Sequence, residues 1–157
     1  MPKEIERKFL VQNDSWRTSV SSKVEITQAY IQHNELCEIR IRLISGQAFL
    51  TIKSGLARLS RDEYEYQIPY HEAEEMISKF CDKKKVLVKD RYFVQNNGNT
   101  WIVDEYKSLP ESLIVAEVEL PTETELVEIP LWVGKEVTGD KSYYNANLAG
   151  SLQLKLM

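Results

Sequence analysis

The chain has 157 residues, enough for one domain with a sizeable core, and 28% of them are charged, with a formal net charge of -4 at pH 7. This acidic balance argues against a nucleic-acid partner, and charge from Lys3 onward leaves no apolar stretch there for a signal peptide or a membrane span. Cys37 and Cys81 are isolated and fit no disulfide framework or metal-ligand spacing. We therefore expect one domain over residues 1–157, in the cytoplasm and not bound to a membrane.

Alternation of charged and branched apolar residues predicts a mainly antiparallel β protein with short helices. The predicted strands are Glu4–Val11, Val24–Gln32, Leu36–Leu43, Ala48–Lys53, Ser60–Ile68, Lys84–Phe93, Thr100–Tyr106 and Leu113–Leu120. Residues 12–23 are predicted to be a loop that has room for one helical turn, and Tyr70–Phe80 is the best helix candidate because glutamates gather near its start. Beyond Pro121 the pattern predicts a helical turn or two over Thr122–Ile129 and a short closing helix over Asn145–Leu152.

The first predicted strand carries two carboxylates and an ammonium group on one face. Glu4, Glu6 and Lys8 alternate with Ile5 and Phe9, so the charged and apolar groups point to opposite sides. Paired carboxylates suit a hard divalent cation, and a lysine beside them gives a phosphate-sized anion its counter-charge. Taken alone, the pattern is more typical of an edge strand with a solvated polar face.

Most of the other predicted strands repeat this arrangement. The acidic positions are Glu4, Glu6, Glu63, Glu65, Asp104, Glu117 and Glu119, and the basic ones are Lys8, Arg40, Arg42, Lys53, Arg61, Lys89 and Arg91. One interpretation is a β-sandwich with a charged exterior. The alternative is an eight-stranded barrel with the charges inside, which requires a ligand that pairs with both signs, such as a triphosphate carrying a divalent metal.

Several different short motifs follow one another along the chain. They are E-I-E-R-K-F at Glu4–Phe9, E-I-R-I-R at Glu38–Arg42, T-I-K-S-G at Thr51–Gly55, R-D-E-Y-E at Arg61–Glu65, K-D-R-Y at Lys89–Tyr92, A-E-V-E-L at Ala116–Leu120, and G-K-E-V-T at Gly134–Thr138 with Tyr143 and Asn145. In this combination the sequence resembles the CYTH superfamily of triphosphate tunnel metalloenzymes over essentially its whole length. It looks most like the small bacterial inorganic triphosphatases.

The resemblance implies a mainly β (α+β) fold, an eight-stranded antiparallel closed barrel with a few short helices outside. It also implies a hydrolase that cleaves the terminal phosphoanhydride of inorganic triphosphate with Mg²⁺ or Mn²⁺. The metal would be held by Glu4, Glu6, Glu117, Glu119 and Asp104, with Glu38, Glu63 and Glu65 around them. Phosphate oxygens would be held by Lys8, Arg40, Arg42, Lys53, Arg61, Lys89, Arg91 and Lys141, and Lys89, Arg91 and Tyr30 would be catalytic.

Several alternatives remain open. The same resemblance covers class IV adenylate cyclases and thiamine or nucleoside triphosphatases, although those carry a longer helical segment after the first strand than residues 12–23 provide. A module that binds polyphosphate or nucleotide without turnover is the alternative from another class. The small-molecule substrate is the expected partner, and a homodimer is a further hypothesis because Ile5, Phe9, Ile39, Ile41, Tyr64 and Tyr66 would face outward from the barrel.

Overall fold

The computed structural model of the chain describes residues 3–54, 60–109, 112–145 and 147–148, with the side chains of Lys3, Glu4 and Ser60 outside that description. Nine strands lie in this part of the chain: β1 (Lys3–Val11), β2 (Val20–His33), β3 (Cys37–Ile44), β4 (Gln47–Ser54), β5 (Ser60–Ile68), β6 (Leu87–Asn96), β7 (Asn99–Tyr106), β8 (Leu113–Glu119) and β9 (Val133–Glu136). The helix α1 spans Tyr70–Phe80, and 3-10 turns span Ser15–Ser19, Lys83–Lys85 and Lys141–Tyr143. None of the helices described is long and apolar enough to span a membrane.

Eight of these strands form a closed antiparallel barrel, as the resemblance implies. The strands pair in the order β5-β4-β3-β2-β6-β7-β8-β1, and β1 pairs back to β5 through Glu4 opposite Arg61 and the two neighbouring residue pairs. The last residues of β1 also pair with β9. Closure leaves an interior wide enough for side chains and one small ligand.

Strand register determines which charges meet inside the barrel. Glu38 of β3 lies opposite Lys53 of β4, and Lys53 lies opposite Glu63 of β5, so one row alternates in sign. In the next row Arg40 lies opposite Thr51. A slip of one residue would turn every charge to the outside, so the alternation itself fixes this register.

Apolar residues cover the outer face of the barrel in two places. Trp16 from the first 3-10 turn and Trp132 from the segment before β9 pack with Trp101 of β7 in the larger cluster. The helix α1 buries Ala73 against Ile41 of β3 in the other cluster. Fully burying one large apolar side chain contributes about 1.5–3 kcal/mol, so these clusters hold the barrel closed from outside.

Because the chain's own elements cover part of the outer face, fewer apolar residues remain exposed to support the homodimer hypothesis. Phe9 and Ile41 do point outward, but the chain's own elements bury them to 3% and 0% exposure. Tyr66 of β5 is 56% exposed, and Ile52 of the neighbouring β4 is 36% exposed. Dimerisation stays a prediction that now rests on the β4–β5 surface.

Three predicted elements differ from the structure. The strand predicted from Lys84 begins only at Leu87, because Lys83–Lys85 form a 3-10 turn that Asp82 caps. The helical turn predicted over Thr122–Ile129 is wrong, because these residues form bends, a turn and irregular backbone. Leu126 there is 93% exposed, so the segment lacks the buried apolar stripe that stabilises a short helix. The loop predicted over residues 12–23 contains the 3-10 turn and the start of β2, which begins at Val20 because it pairs there with Val94.

The start of the predicted closing helix agrees with the structure. Residues 145, 147 and 148 are helical, and the Leu148 amide donates to the Tyr144 carbonyl at 2.9 Å. The rest of the predicted closing helix lies outside the described residues.

Candidate active site

A cavity of about 240 Å³ lies inside the barrel. Its lining residues come from all eight barrel strands and from the segment after β9: Glu6, Lys8, Tyr30, Glu38, Arg40, Arg42, Lys53, Arg61, Glu63, Glu65, Arg91, Ile102, Glu117, Glu119, Thr138, Gly139, Tyr144 and Asn145. Six of these side chains are cationic and six are carboxylates. Most of the charged residues singled out in the sequence therefore share one cavity.

Three arginines form the most positive part of the wall. Burial lowers the pKa of Arg42 to about 9, and repulsion from Arg40 and Arg91 adds to the shift. Arg40 is 4% exposed; its Nη2 donates to Thr51 Oγ1 at 3.2 Å, but its Nε has no hydrogen-bond partner among the described residues. An unpaired buried donor costs about 1–3 kcal/mol, so holding Arg40 in this wall costs stability.

Carboxylates of β1 and β8 form the opposite part of the wall. Glu6 lies directly across the strand pair from Glu119, an arrangement of like charges that is destabilising without a cation. The neighbouring Glu117 lies 3.4 Å from Lys8 Nζ. Burial opposes ionisation of Glu117, but Lys8 and other nearby groups outweigh it, and the pKa of this carboxyl lies below its usual value.

These donors fit a divalent cation that is shared with a ligand. Among the described residues, no group of three or more acidic, histidine or cysteine side chains is placed to hold a metal ion by itself. Mg²⁺ is typically held by one or two carboxylates while substrate phosphates and water supply the remaining oxygens. One or two of Glu6, Glu117 and Glu119 suffice for that arrangement, and the side chain of Glu4 is outside the described part of the chain.

Asp104 lies behind the cavity wall rather than on it. Its carboxylate is 1% exposed and accepts hydrogen bonds from Lys89 Nζ at 2.7 Å and from Arg91 Nε at 2.8 Å. Burial opposes ionisation of Asp104, but both cations hold its pKa well below the usual range. The group anchors Arg91 so that the guanidinium reaches the cavity, whereas Lys89 is fully buried and does not line it.

Lys89 and Arg91 both donate hydrogen bonds to the Asp104 carboxylate, and Arg91 makes two of them. Burial lowers the pKa of Lys89 to about 7, and the nearby Arg91 and Arg42 also disfavour its charge, although Asp104 opposes the shift. Lys89 Nζ also lies 3.5 Å from Asn145 Oδ1. The lysine is therefore held in place but weakly charged compared with its surface counterparts.

Three further carboxylates each lie beside one cavity cation. The pairs are Glu38 with Arg61 at 3.6 Å, Glu63 with Lys53 at 3.3 Å and Glu65 with Arg40 at 3.7 Å. Burial opposes ionisation of Glu38, but a hydrogen bond from His33 and the surrounding cations bring its pKa down to about 2. Such pairing fixes the cations in position before any ligand arrives.

A CYTH domain family model matches residues 2–147. The chain belongs to the CYTH domain family. An inorganic triphosphatase of Acetivibrio thermocellus is 43% identical to this CYTH domain over 148 residues, which is 94% of each chain. An inorganic triphosphatase of Nitrosomonas europaea is 34% identical over 153 residues, covering 95% of this chain and 98% of the relative.

Solved structures show the same CYTH fold. The crystal structure of the inorganic triphosphatase NE1496 superimposes with a TM-score of 0.66 at 31% identity, over 93% of this chain and 97% of that one. The Hippeastrum protein HpAC1, a putative adenylyl cyclase described as having a dominant triphosphatase activity, superimposes with a TM-score of 0.58 over 76% of this chain and 80% of its own. At 13% identity HpAC1 bears on the fold alone. Triphosphatases of the CYTH family depend on a metal.

Two residues singled out in the sequence of this CYTH domain lie in different surroundings. Tyr30 lines the cavity, and its hydroxyl accepts a hydrogen bond from Gln28 Nε2 at 2.8 Å. Burial and the nearby Glu38 raise the pKa of Tyr30, so the phenol keeps its proton. Lys141 is exposed in the last 3-10 turn and does not line the cavity.

Apart from Lys141, no residue of the segment after β9 was given a role from the sequence, although this segment closes part of the cavity. Thr138 Oγ1 accepts a hydrogen bond from the Lys8 amide at 2.9 Å, and Gly139 turns the chain with a φ of 81°. Asn145 Oδ1 accepts from the Tyr106 hydroxyl. Two features of the sequence could have pointed to this segment: the Gly139-Asp140 turn, and the motif residues Thr138 and Asn145.

Proposed function

We propose that this CYTH protein is a metal-dependent inorganic triphosphatase that cleaves triphosphate to pyrophosphate and phosphate. The observation that carries the proposal is a cavity of about 240 Å³ whose wall holds six cationic side chains and six carboxylates. Pockets for drug-sized organic ligands enclose roughly 300–1,000 Å³, so the size favours a small inorganic chain. Two relatives named inorganic triphosphatase, 43% and 34% identical, support the same activity.

The cationic wall would bind the phosphate oxygens. Its members are Lys8, Arg40, Arg42, Lys53, Arg61 and Arg91. A guanidinium donates two parallel hydrogen bonds to a phosphate, so the arginines would fix the orientation of the chain as well as its charge. Donors held by their own ion pairs stabilise negative charge that develops on the transferred phosphoryl group without reorganising.

The carboxylates of β1 and β8 would hold Mg²⁺ or Mn²⁺. Glu6, Glu117 and Glu119 line the cavity together, and Glu4 lies two residues before Glu6 in β1. The opposed pair Glu6 and Glu119 supports this role, because a cation between them removes a repulsion that the strand register imposes. A bound divalent cation would neutralise charge on the phosphoryl oxygens and orient them.

Arg91 and Tyr30 are the two predicted catalytic residues that line the cavity. Arg91 would stabilise charge on the transferred phosphoryl group, with Asp104 positioning its guanidinium. Tyr30 keeps its proton and can donate it in a hydrogen bond to the attacking water or a phosphate oxygen. Lys89 would act behind the wall as a positioning residue, since its Nζ reaches Asp104 and not the cavity.

The proposal is tested by hydrolysis of inorganic triphosphate at increasing Mg²⁺ or Mn²⁺, with release of phosphate as the readout. Glu119 is solvent-exposed at the cavity, so Glu119→Gln should leave folding intact while it raises the metal concentration for half-maximal rate about tenfold or more. Glu72→Gln on the outer surface of α1 removes the same charge away from the cavity and should behave as wild type.

Absence of phosphate release at every metal concentration would refute the proposal. Tight binding of triphosphate without product would then favour the binding module. Cyclic AMP from ATP would favour the cyclase.

A further inference from the structure

Tyr144 occupies the cavity wall where two predicted phosphate-binding cations meet. Its ring centroid lies 5.6 Å from Lys8 Nζ and 5.9 Å from Arg61 Cζ, both within cation–π range. Lys8 belongs to β1 and Arg61 to β5, so the ring spans the seam at which the barrel closes. Any phosphate bound by these two cations would lie against the ring.

Hydrogen bonds hold the main chain at Tyr144 on both sides. The Tyr144 amide donates to the Lys141 carbonyl at 3.1 Å, and the Tyr144 carbonyl accepts from the Leu148 amide at 2.9 Å. Leu148 is 7% exposed and packs in a cluster with Leu87. These two bonds fix the backbone at Tyr144, and with it the position from which the ring projects toward Lys8 and Arg61.

The ring also keeps an uncharged, apolar surface among charged neighbours. Burial raises the pKa of Tyr144, while Arg61 and Lys8 oppose the shift. The phenol therefore stays neutral and does not compete for the two cations as a carboxylate would. Its effect on a ligand is mainly steric.

We propose that Tyr144 is a specificity-determining residue that excludes triphosphates carrying an organic group, such as nucleoside triphosphates. This inference rests on the proposed function, because it concerns which triphosphate enters the same site. A phosphate held by Lys8 and Arg61 has room for bare oxygens beside the ring, whereas a ribose ester on that phosphate would need the volume that the ring fills. Selectivity of this kind comes from a clash with the wrong ligand rather than from a new contact with the right one.

The test compares kcat/KM for inorganic triphosphate and for ATP in wild type and three variants. Tyr144→Ala removes the ring, Tyr144→Phe keeps it without the hydroxyl, and Tyr66→Ala is a matched control on the outer face of β5, where Tyr66 is 56% exposed. We expect Tyr144→Ala to raise the ratio of kcat/KM for ATP to that for triphosphate at least about tenfold, mainly through KM for ATP. Tyr144→Phe and Tyr66→Ala should keep the wild-type ratio.

A wild-type ratio in a folded Tyr144→Ala protein would overturn the inference, as would an equal loss of activity toward both substrates. Thermal melting checks folding, and Tyr144→Leu replaces the alanine variant if that one does not fold. Failure of the wild-type enzyme to cleave triphosphate would instead refute the proposed function. The two failures are therefore distinguishable.

Discussion

Replacing Asp104 by asparagine should destabilise the protein far more than any single surface charge change. Asp104 is 1% exposed and accepts from Lys89 Nζ at 2.7 Å and from Arg91 Nε at 2.8 Å. Asparagine keeps the shape but leaves the buried Arg91 guanidinium, and Lys89 in its protonated form, without their shared anion. Removing one partner of a buried ion pair costs about 3–5 kcal/mol, a large part of the roughly 5–15 kcal/mol by which a domain is stable.

Urea denaturation and thermal melting, both followed by circular dichroism, measure this loss. For a domain of this length 1 kcal/mol corresponds to about 2–4 °C, so we expect the melting temperature of Asp104→Asn to fall by roughly 6–20 °C. The matched control is Glu105→Gln on the outer face, because Glu105 pairs with Arg17 at 3.0 Å and its side chain is 33% exposed. An exposed pair contributes about 0–1 kcal/mol. The reasoning is refuted if the two variants lose the same stability.

Three further predictions follow from the cavity and the outer surface. The pKa of Glu38 is lowered from 4.5 to about 2, so its stabilising contribution is present above pH 4.5 and is lost as the pH falls from 4.5 toward 2. When the free energy of unfolding is measured by denaturation at pH 6 and at pH 3, Glu38→Gln should therefore lose less stability between the two pH values than the wild type. Arg40→Gln should raise KM for triphosphate about 10- to 100-fold in steady-state kinetics, because it removes one of the cationic groups that line the cavity, and an unchanged KM would contradict that role. Light scattering at micromolar concentration should give the mass of a dimer for the wild type and of a monomer for Tyr66→Lys. A monomeric wild type would refute the dimer hypothesis.

The alternation of side chains made the interior predictable from sequence. In β3 the charges fall on every second residue, Glu38 to Arg42, and only one register puts them all inside. The hairpin turns were also predictable, because Ser45-Gly46 and Asn97-Gly98 are residue types that accept the positive φ angles of tight turns, and the structure has such angles at all four residues. Local pattern and turn chemistry therefore determine most of the barrel.

Contacts between distant parts of the chain were not predictable in this way. Asp104 alternates like a wall residue, yet its position behind the wall depends on how two cations of β6 converge on it. Tyr144 carries no periodic signal, and its place at the cavity depends on the chain folding back after β9. The sequence places Lys141 in the same segment without indicating that its side chain stays outside.

The most direct test of the central claim is product analysis with inorganic triphosphate, ATP and thiamine triphosphate, each incubated separately with Mg²⁺ or Mn²⁺. We expect triphosphate to be cleaved to pyrophosphate and phosphate with a kcat/KM far above that of the other two, and Glu4→Gln to abolish the reaction. Faster cleavage of ATP or thiamine triphosphate, or cyclic AMP as the product from ATP, would contradict the account.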